Sequence, residues 1–291
     1  MPLYINTVST SIQRYFHIHN NLDYITEEIK TAIEISKSIH TNKITMSELT
    51  YVITGAGKGT GKGLLEVLIA RPNTTAVAGL RDVPTVTKAV SSVPVGKGSK
   101  LIVIKIDSTS ATDAAVAVKE LKTKHNITKV DVLISNAEYM GLTAPVLDTP
   151  AEEVRRNFEV NTIGPLTSIQ VFYPLLEASP EPKFLAITSS IGSMGDMESF
   201  PVPFFGYGTS KSAANCLVRK LHLEHPKLTS MAFNPGWLQT DMGTGAAQGV
   251  GMEDAPMTIE ESVGNLIKLF DGANREKSRA FTASSGEPIP W

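Results

Sequence analysis

Two side chains four residues apart, Tyr207 and Lys211, have the types and the spacing for proton transfer. They open a stretch with helical periodicity, and residues at i and i+4 lie on one face of a helix. A tyrosine hydroxyl, with a pKa of about 10, exchanges protons poorly at neutral pH unless a nearby cation stabilises its phenolate. Lys211 is placed to supply that charge. Ser189 or Ser190, at the end of another predicted strand, offers a hydroxyl that can hydrogen-bond the same carbonyl oxygen of a substrate as Tyr207 does.

A glycine-rich segment after the first predicted strand is suited to binding phosphate. Residues 55–61 read GAGKGTG, and a helical stretch follows. Glycines permit positive φ and let a pyrophosphate approach the free N–H groups of a helix N-terminus. The spacing fits neither a Walker A loop, which needs Gly at 56 and Ser or Thr at 63, nor GxGxxG. It fits T-G-x-x-x-G-x-G over residues 54–61, whose glycines are Gly55, Gly59 and Gly61.

The end of the second predicted strand indicates which dinucleotide would bind. An acidic residue there binds the ribose 2′-OH of NAD, whereas an arginine accommodates the 2′-phosphate of NADP. The strand ends in Arg81-Asp82, and Lys58 in the glycine segment is a second cation. Charge-assisted hydrogen bonds from two cations suit a dianionic phosphate. The cations therefore favour NADP(H), and Asp82 is the feature that favours NAD.

From residue 50 onward the chain alternates between strand-like and helical stretches. The strand-like runs are Tyr51–Thr54, Thr75–Leu80, Leu101–Ile106, Val130–Ser135, Phe184–Thr188, Thr229–Phe233 and Arg279–Thr282. The helical stretches are Gly63–Arg71, Ala111–His125, Glu152–Val160 continuing through Leu166–Ala178, Tyr207–His225 and Ile259–Phe270. Strands that are apolar throughout are buried on both faces. We therefore predict an α/β fold with a single Rossmann-type, doubly wound parallel sheet, helices on both faces, and a ligand site beyond the carboxyl ends of the strands.

Composition excludes several classes of protein. The chain has 291 residues, is 42% hydrophobic and 19% charged, and carries a formal net charge of −2, so disorder is excluded. Its one cysteine, Cys216, gives no disulfide framework and is predicted to lie in the core. Lys+Arg (27) and Asp+Glu (29) nearly cancel, which argues against binding nucleic acid through bulk charge. Since no apolar run approaches the roughly 18 residues of a membrane span, we expect a soluble, cytoplasmic protein with no membrane partner.

The first 47 residues form a separate segment in this interpretation. Isoleucines at roughly helical spacing predict that part of it is helical, and it lacks the features of a secretory signal. His17 and His19 have no third ligand at a fixed spacing, so no metal site is predicted. We predict two units: an N-terminal extension, 1–47, and a domain, 48–291.

Further motifs appear along the chain in a fixed order. After T-G-x-x-x-G-x-G they are Asp107-Ser108, Asn136-Ala137, Asn161, Thr188-Ser189-Ser190, Tyr207-Gly-Thr-Ser-Lys211, and Asn234-Pro-Gly-Trp237 with Thr240. Over residues 50–291 this set resembles the short-chain dehydrogenase/reductase family. Within that family, residues 64–72, 101–107 and 235–242 and the terminal Pro290-Trp291 resemble norsolorinic acid ketoreductase-like enzymes of fungal polyketide pathways.

The resemblance implies an NADPH-dependent ketoreductase that reduces a carbonyl of an aromatic or polyketide-like metabolite. Tyr207 would protonate the substrate oxygen, Lys211 would lower the pKa of the Tyr207 hydroxyl and hold the nicotinamide ribose, Ser189 would polarise the carbonyl, and Asn161 would support a proton-relaying water. The residues implied to contact the cofactor are Gly55, Lys58, Gly59, Thr60, Gly61, Arg81, Asp107, Ser108, Asn136, Ala137, Tyr207, Lys211, Pro235, Gly236, Leu238 and Thr240. The family also forms homodimers and homotetramers, so one of these is expected.

Two departures from the family pattern bear on the site. Glu138 follows Asn136-Ala137 where the family has glycine, and it would either narrow or charge the site or point to solvent. The segment Asp196–Phe205 lengthens the chain between Ser189 and Tyr207, and would either wall the substrate or form a minor core. The alternatives left open are a reductase recruited for imine reduction or cyclisation, and a dinucleotide-binding protein without activity.

The predicted division into units gives a direct test. A chain that begins at Met46 should keep the cofactor affinity and turnover of the full chain, because the candidate site residues all follow Thr50. Steady-state kinetics and cofactor titration of the two forms check this. An insoluble or inactive shorter chain would show that residues 1–45 pack on the domain or on a partner subunit.

Overall fold

The computed structural model describes residues 48–84 and 92–291, within which seven parallel strands form one sheet. The strands are β1 (Leu49–Thr54), β2 (Thr74–Leu80), β3 (Lys100–Lys105), β4 (Val132–Ser135), β5 (Lys183–Ile187), β6 (Thr229–Asn234) and β7 (Phe281–Ala283). Their order across the sheet is β3-β2-β1-β4-β5-β6-β7, and every neighbouring pair is parallel. All the predicted strands are present.

Helices connect the strands. They are α1 (Gly59–Ile69), α2 (Asp113–His125), α3 (Ala151–Phe158), α4 (Gly164–Glu177), α5 (Phe205–Glu224), α6 (Asp241–Gly249) and α7 (Ile259–Asp271). A π-helical turn, Glu159–Ile163, separates α3 from α4 within the stretch predicted as one long helix. Helix α6 was not predicted, since its three glycines lower helix propensity; the Thr240 hydroxyl begins it by accepting a hydrogen bond from the Gly243 N–H at 3.0 Å.

The sheet is buried on both faces, as its apolar strands predict. On β1, Ile53 belongs to the core cluster that includes residues of α1 and α7, whereas Val52 belongs to the cluster that includes residues of α2, α4 and α5. Successive side chains of a strand point to opposite faces, so each strand contributes to both cores. The predicted Rossmann-type α/β fold, with one doubly wound parallel sheet, is confirmed.

The point where the strand order reverses lies between β1 and β4. From β1 the chain builds outward through β2 to β3, then crosses to β4 on the other side. In open α/β sheets, ligands bind beyond the carboxyl ends of the strands at such a point. Here the Thr54 hydroxyl accepts hydrogen bonds from the N–H groups of Asn136 (3.0 Å) and Ala137 (3.1 Å), and the Asn136 amide donates to the Thr54 carbonyl at 3.0 Å. These bonds fix both sides of the crevice.

The prediction for Cys216 is wrong. Its side chain is exposed, together with Arg219, Lys220 and Leu223, which follow at three, four and seven residues. That spacing places all four on the solvent face of α5, whereas Val218 and Leu221 face the core. A buried position for Cys216 would require the opposite face of the helix.

Several expectations fall outside the described residues. The N-terminal extension, its predicted helix, His17 and His19 all lie before residue 48. Among the residues that the structure does describe, no helix is both long and apolar enough to cross a membrane. In the same residues, no group of three or more His, Cys, Asp and Glu side chains is arranged to hold a metal ion.

Close packing at the first turn of α1 predicts opposite effects of two Gly→Ala substitutions. A Cβ at Gly61 would collide with the Gly55 carbonyl oxygen and the Asn136 amide, whereas a Cβ at the exposed Gly264 of α7 has no atom within 4 Å. Gly61→Ala should lower the free energy of unfolding by roughly 1–3 kcal/mol through overpacking. Gly264→Ala should raise it by about 0.5–1 kcal/mol, because alanine is the better helix former. Urea denaturation measures both, and equal effects would contradict the packing described.

Candidate active site

A cavity of about 1360 Å³ opens beyond the carboxyl ends of the strands. Ser189 and nearly all the residues predicted to contact the cofactor line it. Those cofactor-site residues are Gly55, Lys58, Gly59, Thr60, Gly61, Arg81, Asp107, Ser108, Asn136, Ala137, Tyr207, Pro235, Gly236, Leu238 and Thr240. Lys211 and Asn161 are buried and do not line the cavity.

The glycine turn forms one end of the cavity and fits a pyrophosphate group. Gly55 has φ +66°, and a Cβ there would lie 2.8 Å from the Ala137 Cα, so only glycine lets the turn pass so close to the loop after β4. Helix α1 begins at Gly59 (φ +53°) and has no acidic residue in its first turn. Its preceding residue, Lys58, makes no side-chain cap. The N–H groups and the positive end of the helix dipole are therefore left for an anion.

The predicted phosphate-binding cations lie at this end of the cavity. Arg81 and Lys58 are both exposed on its wall. The Lys58 ammonium lies 3.5 Å from the Asp241 carboxylate at the start of α6, and both side chains are more than four-fifths exposed. An ion pair so well solvated is weak and leaves Lys58 able to turn toward a ligand. Asp82 also lines the cavity, so the acidic group that weighed against NADP(H) remains close by.

Tyr207 and Lys211 lie one turn apart near the start of α5, and both contact Glu138. The Tyr207 hydroxyl donates a hydrogen bond to Glu138 Oε2 at 3.2 Å, and Lys211 Nζ donates to the same oxygen at 2.9 Å. Lys211 Nζ also donates to the carbonyl of Ile187, at the end of β5 (3.1 Å). The side chain of Lys211 is 2% exposed and that of Glu138 is 29% exposed. Glu138 was predicted either to narrow or charge the site or to point to solvent, and the structure supports the interpretation in which it charges the site.

The pKa of the Tyr207 hydroxyl lies well above its ordinary value. Burial is the main cause, followed by the negative charge of Glu138 and the hydrogen bond to it, while a hydrogen bond with Ser189 acts in the opposite direction. The family resemblance implied a lowered pKa through Lys211. Here the ammonium of Lys211 is paired with a carboxylate, which offsets its effect on the phenol.

Ser189 is held against α5 by close backbone packing. A Cβ at Gly192 would lie 2.8 Å from the backbone of Lys211, and one at Gly208 would lie 3.1 Å from the Ile191 carbonyl oxygen. These two glycines let the turn after β5 lie directly on the helix that carries Tyr207. Ser190 also lines the cavity, but it is the hydroxyl of Ser189 that interacts with the Tyr207 phenol.

Asn161 lies in the π-helical turn and holds the loop after β4. Its amide nitrogen donates to the Tyr139 carbonyl (2.8 Å) and to the Ser210 hydroxyl (2.9 Å), and its amide oxygen accepts from the Tyr139 N–H at 2.8 Å. These contacts fix the backbone immediately after Glu138. The predicted water that relays protons to Lys211 is untested.

Part of the cavity wall is apolar. Phe204 is buried against Tyr207 and Ala246 and also lines the cavity with Phe200 and Val202, so the segment 196–204 is both a small core and a wall. Its first end is tied to the chain terminus, where the Gly195 N–H donates to the Trp291 carbonyl at 2.8 Å. At its second end, Phe204 forms a parallel bridge with Ala144.

Several lining residues were missed by sequence reasoning. They include Met140, Arg156, Val160, Trp237, Met242 and Ala246. They come from the loop after β4, the helices α3 and α6 and two connecting segments. No local pattern distinguishes them from ordinary surface or core residues. The apolar character of Asp196–Phe205 was the one sequence signal for this wall.

Comparisons with known proteins agree with this architecture. A family model described as short chain dehydrogenase matches residues 50–251. The chain is 39% identical over 247 residues to the norsolorinic acid ketoreductase of Dothistroma septosporum, covering 83% of this chain and 92% of that protein. It is 36% identical over 248 residues to the norsolorinic acid ketoreductase of Aspergillus parasiticus (84% and 92%). The NADPH-bound carbonyl reductase from chicken fatty liver superposes with a TM-score of 0.74 at 24% identity, covering 84% of this chain and all of that one.

Proposed function

Because the chain belongs to the short-chain dehydrogenase/reductase family and is therefore an oxidoreductase, we propose that it is an NADPH-dependent ketoreductase acting on an aromatic or polyketide-like carbonyl. The observation that carries the proposal is the convergence of the Ser189 and Tyr207 hydroxyls on one cavity that also contains the glycine turn. The names of the related fungal enzymes point to a polyketide ketone as the substrate class.

In this proposal the glycine turn and the start of α1 bind the pyrophosphate of NADP(H), and Arg81 with Lys58 binds its 2′-phosphate. When bound, NADPH supplies the hydride that adds to the carbonyl carbon. When substrate binds, the Tyr207 hydroxyl donates its single proton to the carbonyl oxygen instead of to Glu138, and the Ser189 hydroxyl donates to the same oxygen. As negative charge develops on that oxygen, the Tyr207 O–H bond breaks and its proton completes the alcohol.

The cavity wall supports an extended apolar substrate. Phe200, Val202, Phe204, Met140 and Trp237 line the cavity together with Tyr207, and all of them except Phe200 belong to the hydrophobic cluster that includes Tyr207. Aromatic and thioether side chains pack well against flat rings and exclude water from the carbonyl. Arg156, at the same wall, lies 4.4 Å from the centre of the Tyr139 ring and adds a cation near this apolar region.

The preference for NADPH is tested at Arg81. Arg81→Ala should weaken NADPH binding roughly tenfold or more while leaving NADH binding nearly unchanged, since only the contact with the 2′-phosphate is lost. Lys62→Ala is the matched control, because Lys62 is a nearby cation whose ammonium is paired with Glu66 at 2.8 Å. Fluorescence titration with each cofactor measures both. Equal losses for NADPH and NADH would contradict the assignment.

The role of Tyr207 is tested by removing a single oxygen. Tyr207→Phe keeps the ring in its packed position, so NADPH affinity should persist while ketone turnover falls by roughly 10²–10⁴. Loss of NADPH absorbance with a panel of aromatic ketones gives the rate. Ser189→Ala should impair reduction strongly, and Ser190→Ala, its control, should not. Near-normal turnover of Tyr207→Phe would disprove the assignment of the proton donor.

A further inference from the structure

A carboxylate contacts both ionisable groups proposed for proton transfer. Glu138 occupies the position where the family's Asn-Ala-Gly motif has glycine, which has no side chain to do this. One of its oxygens, Oε2, accepts from the Tyr207 hydroxyl at 3.2 Å and from the Lys211 ammonium at 2.9 Å. The three groups therefore form one hydrogen-bonded cluster in which the charges of Lys211 and Glu138 cancel.

The loop that carries Glu138 is firmly held. Asn161 makes hydrogen bonds to both the N–H and the carbonyl of Tyr139, the next residue. The Tyr139 hydroxyl donates to the Glu153 carboxylate at 3.2 Å, and the Arg156 guanidinium covers its ring. Because the backbone that follows Glu138 is fixed by these contacts, the Glu138 carboxylate is held next to Tyr207 and Lys211.

Several other charged groups lie on the elements around Tyr207. They come from α5, the loop after β4, α3 with the π-helical turn, the segment 196–204 and α6: Lys211, Glu138, Glu153, Arg156, Glu159, Asp196, Glu198 and Asp241, which pairs with Lys58. Glu153 and Arg156 contact Tyr139, and Asp196 accepts from the Ser199 hydroxyl. Within the described part of the chain, the carboxylate bonded to the phenol is that of Glu138.

We propose that Glu138 is a positioning residue that keeps the Tyr207 hydroxyl neutral, and thus a proton donor, far into the alkaline range. An unpaired ammonium beside the phenol would stabilise the phenolate, whereas the Lys211–Glu138 pair has no net charge. The carboxylate also accepts the phenol proton in a hydrogen bond, and it would lie close to a second negative charge if the phenol ionised. The direction of the Tyr207 pKa agrees with this geometry. The inference rests on the proposed function, in which Tyr207 is the donor.

The test is the ionisation of Tyr207 in the cofactor-free protein, which needs no turnover. Ultraviolet difference titration records phenolate formation, and subtracting the same titration of Tyr207→Phe isolates the signal of Tyr207. In the unmodified protein we expect no Tyr207 phenolate at or below the ordinary tyrosine pKa of about 10. In Glu138→Gln, which keeps the shape but removes the charge, the phenol should ionise at least about 1 pH unit lower than in the unmodified protein.

Glu153→Gln is the matched control, because it removes a carboxylate from the same neighbourhood without contacting Tyr207 or Lys211, and it should leave the titration unchanged. If Glu138→Gln fails to fold by circular dichroism, Glu138→Gly, the family's own residue, replaces it with the same expectation. A Tyr207 titration that is unchanged when Glu138 loses its charge would overturn the proposal, whether or not ketone reduction is found.

Kinetics provide the second measurement. The rate of ketone reduction falls at high pH as the donor ionises, so this alkaline limb should move to lower pH in Glu138→Gln by the same amount as the phenol titration. A shift of the titration without ketone turnover by any form would support the role of Glu138 and count against the ketoreductase proposal. A shifted titration with an unmoved alkaline limb would overturn the claim that Glu138 sets the pH range of the reaction.

Discussion

Hydrogen bonds between the carboxyl ends of β1 and β4 fix the crevice on which the rest of the site depends. The Thr54 hydroxyl accepts from two backbone N–H groups, and the Asn136 amide donates to the carbonyls of Thr54 and Gly55. Leaving each of these buried groups unpaired would cost about 1–3 kcal/mol, so the hydrogen bonds oppose separation of the two strand ends. The glycine turn begins one residue beyond this clamp on one side, and Glu138 follows one residue after Ala137 on the other. These hydrogen bonds therefore fix the positions of both the glycine turn and Glu138.

Much of the fold could be predicted because its strands carry a strong local signal. Strands such as β1 and β2 are rich in apolar and β-branched residues, and they are buried along nearly their whole length on both faces. Helix α6 lacks such a signal: its glycines disfavour a helix, and it forms around the Thr240 cap and the buried Ala246 and Ala247. Cys216 shows a related limit, since helical periodicity indicates that α5 has two faces but a single cysteine does not reveal which one it occupies.

The site divides in the same way. Residues at strand ends were predictable because the carboxyl ends of parallel strands meet at one edge, so Gly55, Asn136 and Ser189 had to converge. Contacts between side chains that lie far apart in the sequence were not predictable. Glu138 and Lys211 are 73 residues apart in sequence, and nothing local indicates that one carboxylate oxygen serves both the lysine and the tyrosine. Burial and that contact together raise the pKa of Tyr207, which is why an argument from the spacing of Tyr207 and Lys211 alone gave the opposite direction.

The segment 196–204 is anchored independently at its two ends. At one end, the Gly195 N–H donates a hydrogen bond to the carbonyl of Trp291, whose ring packs against Phe281. At the other end, Phe204 is buried beside Tyr207. Between these anchors, Phe200 lines the cavity, and Met197 is exposed to solvent. Mutations in the middle of the segment can therefore accumulate without displacing the reacting groups. A gene duplicate of this protein could acquire a new substrate range through a few codons here, while inheriting its chemistry intact.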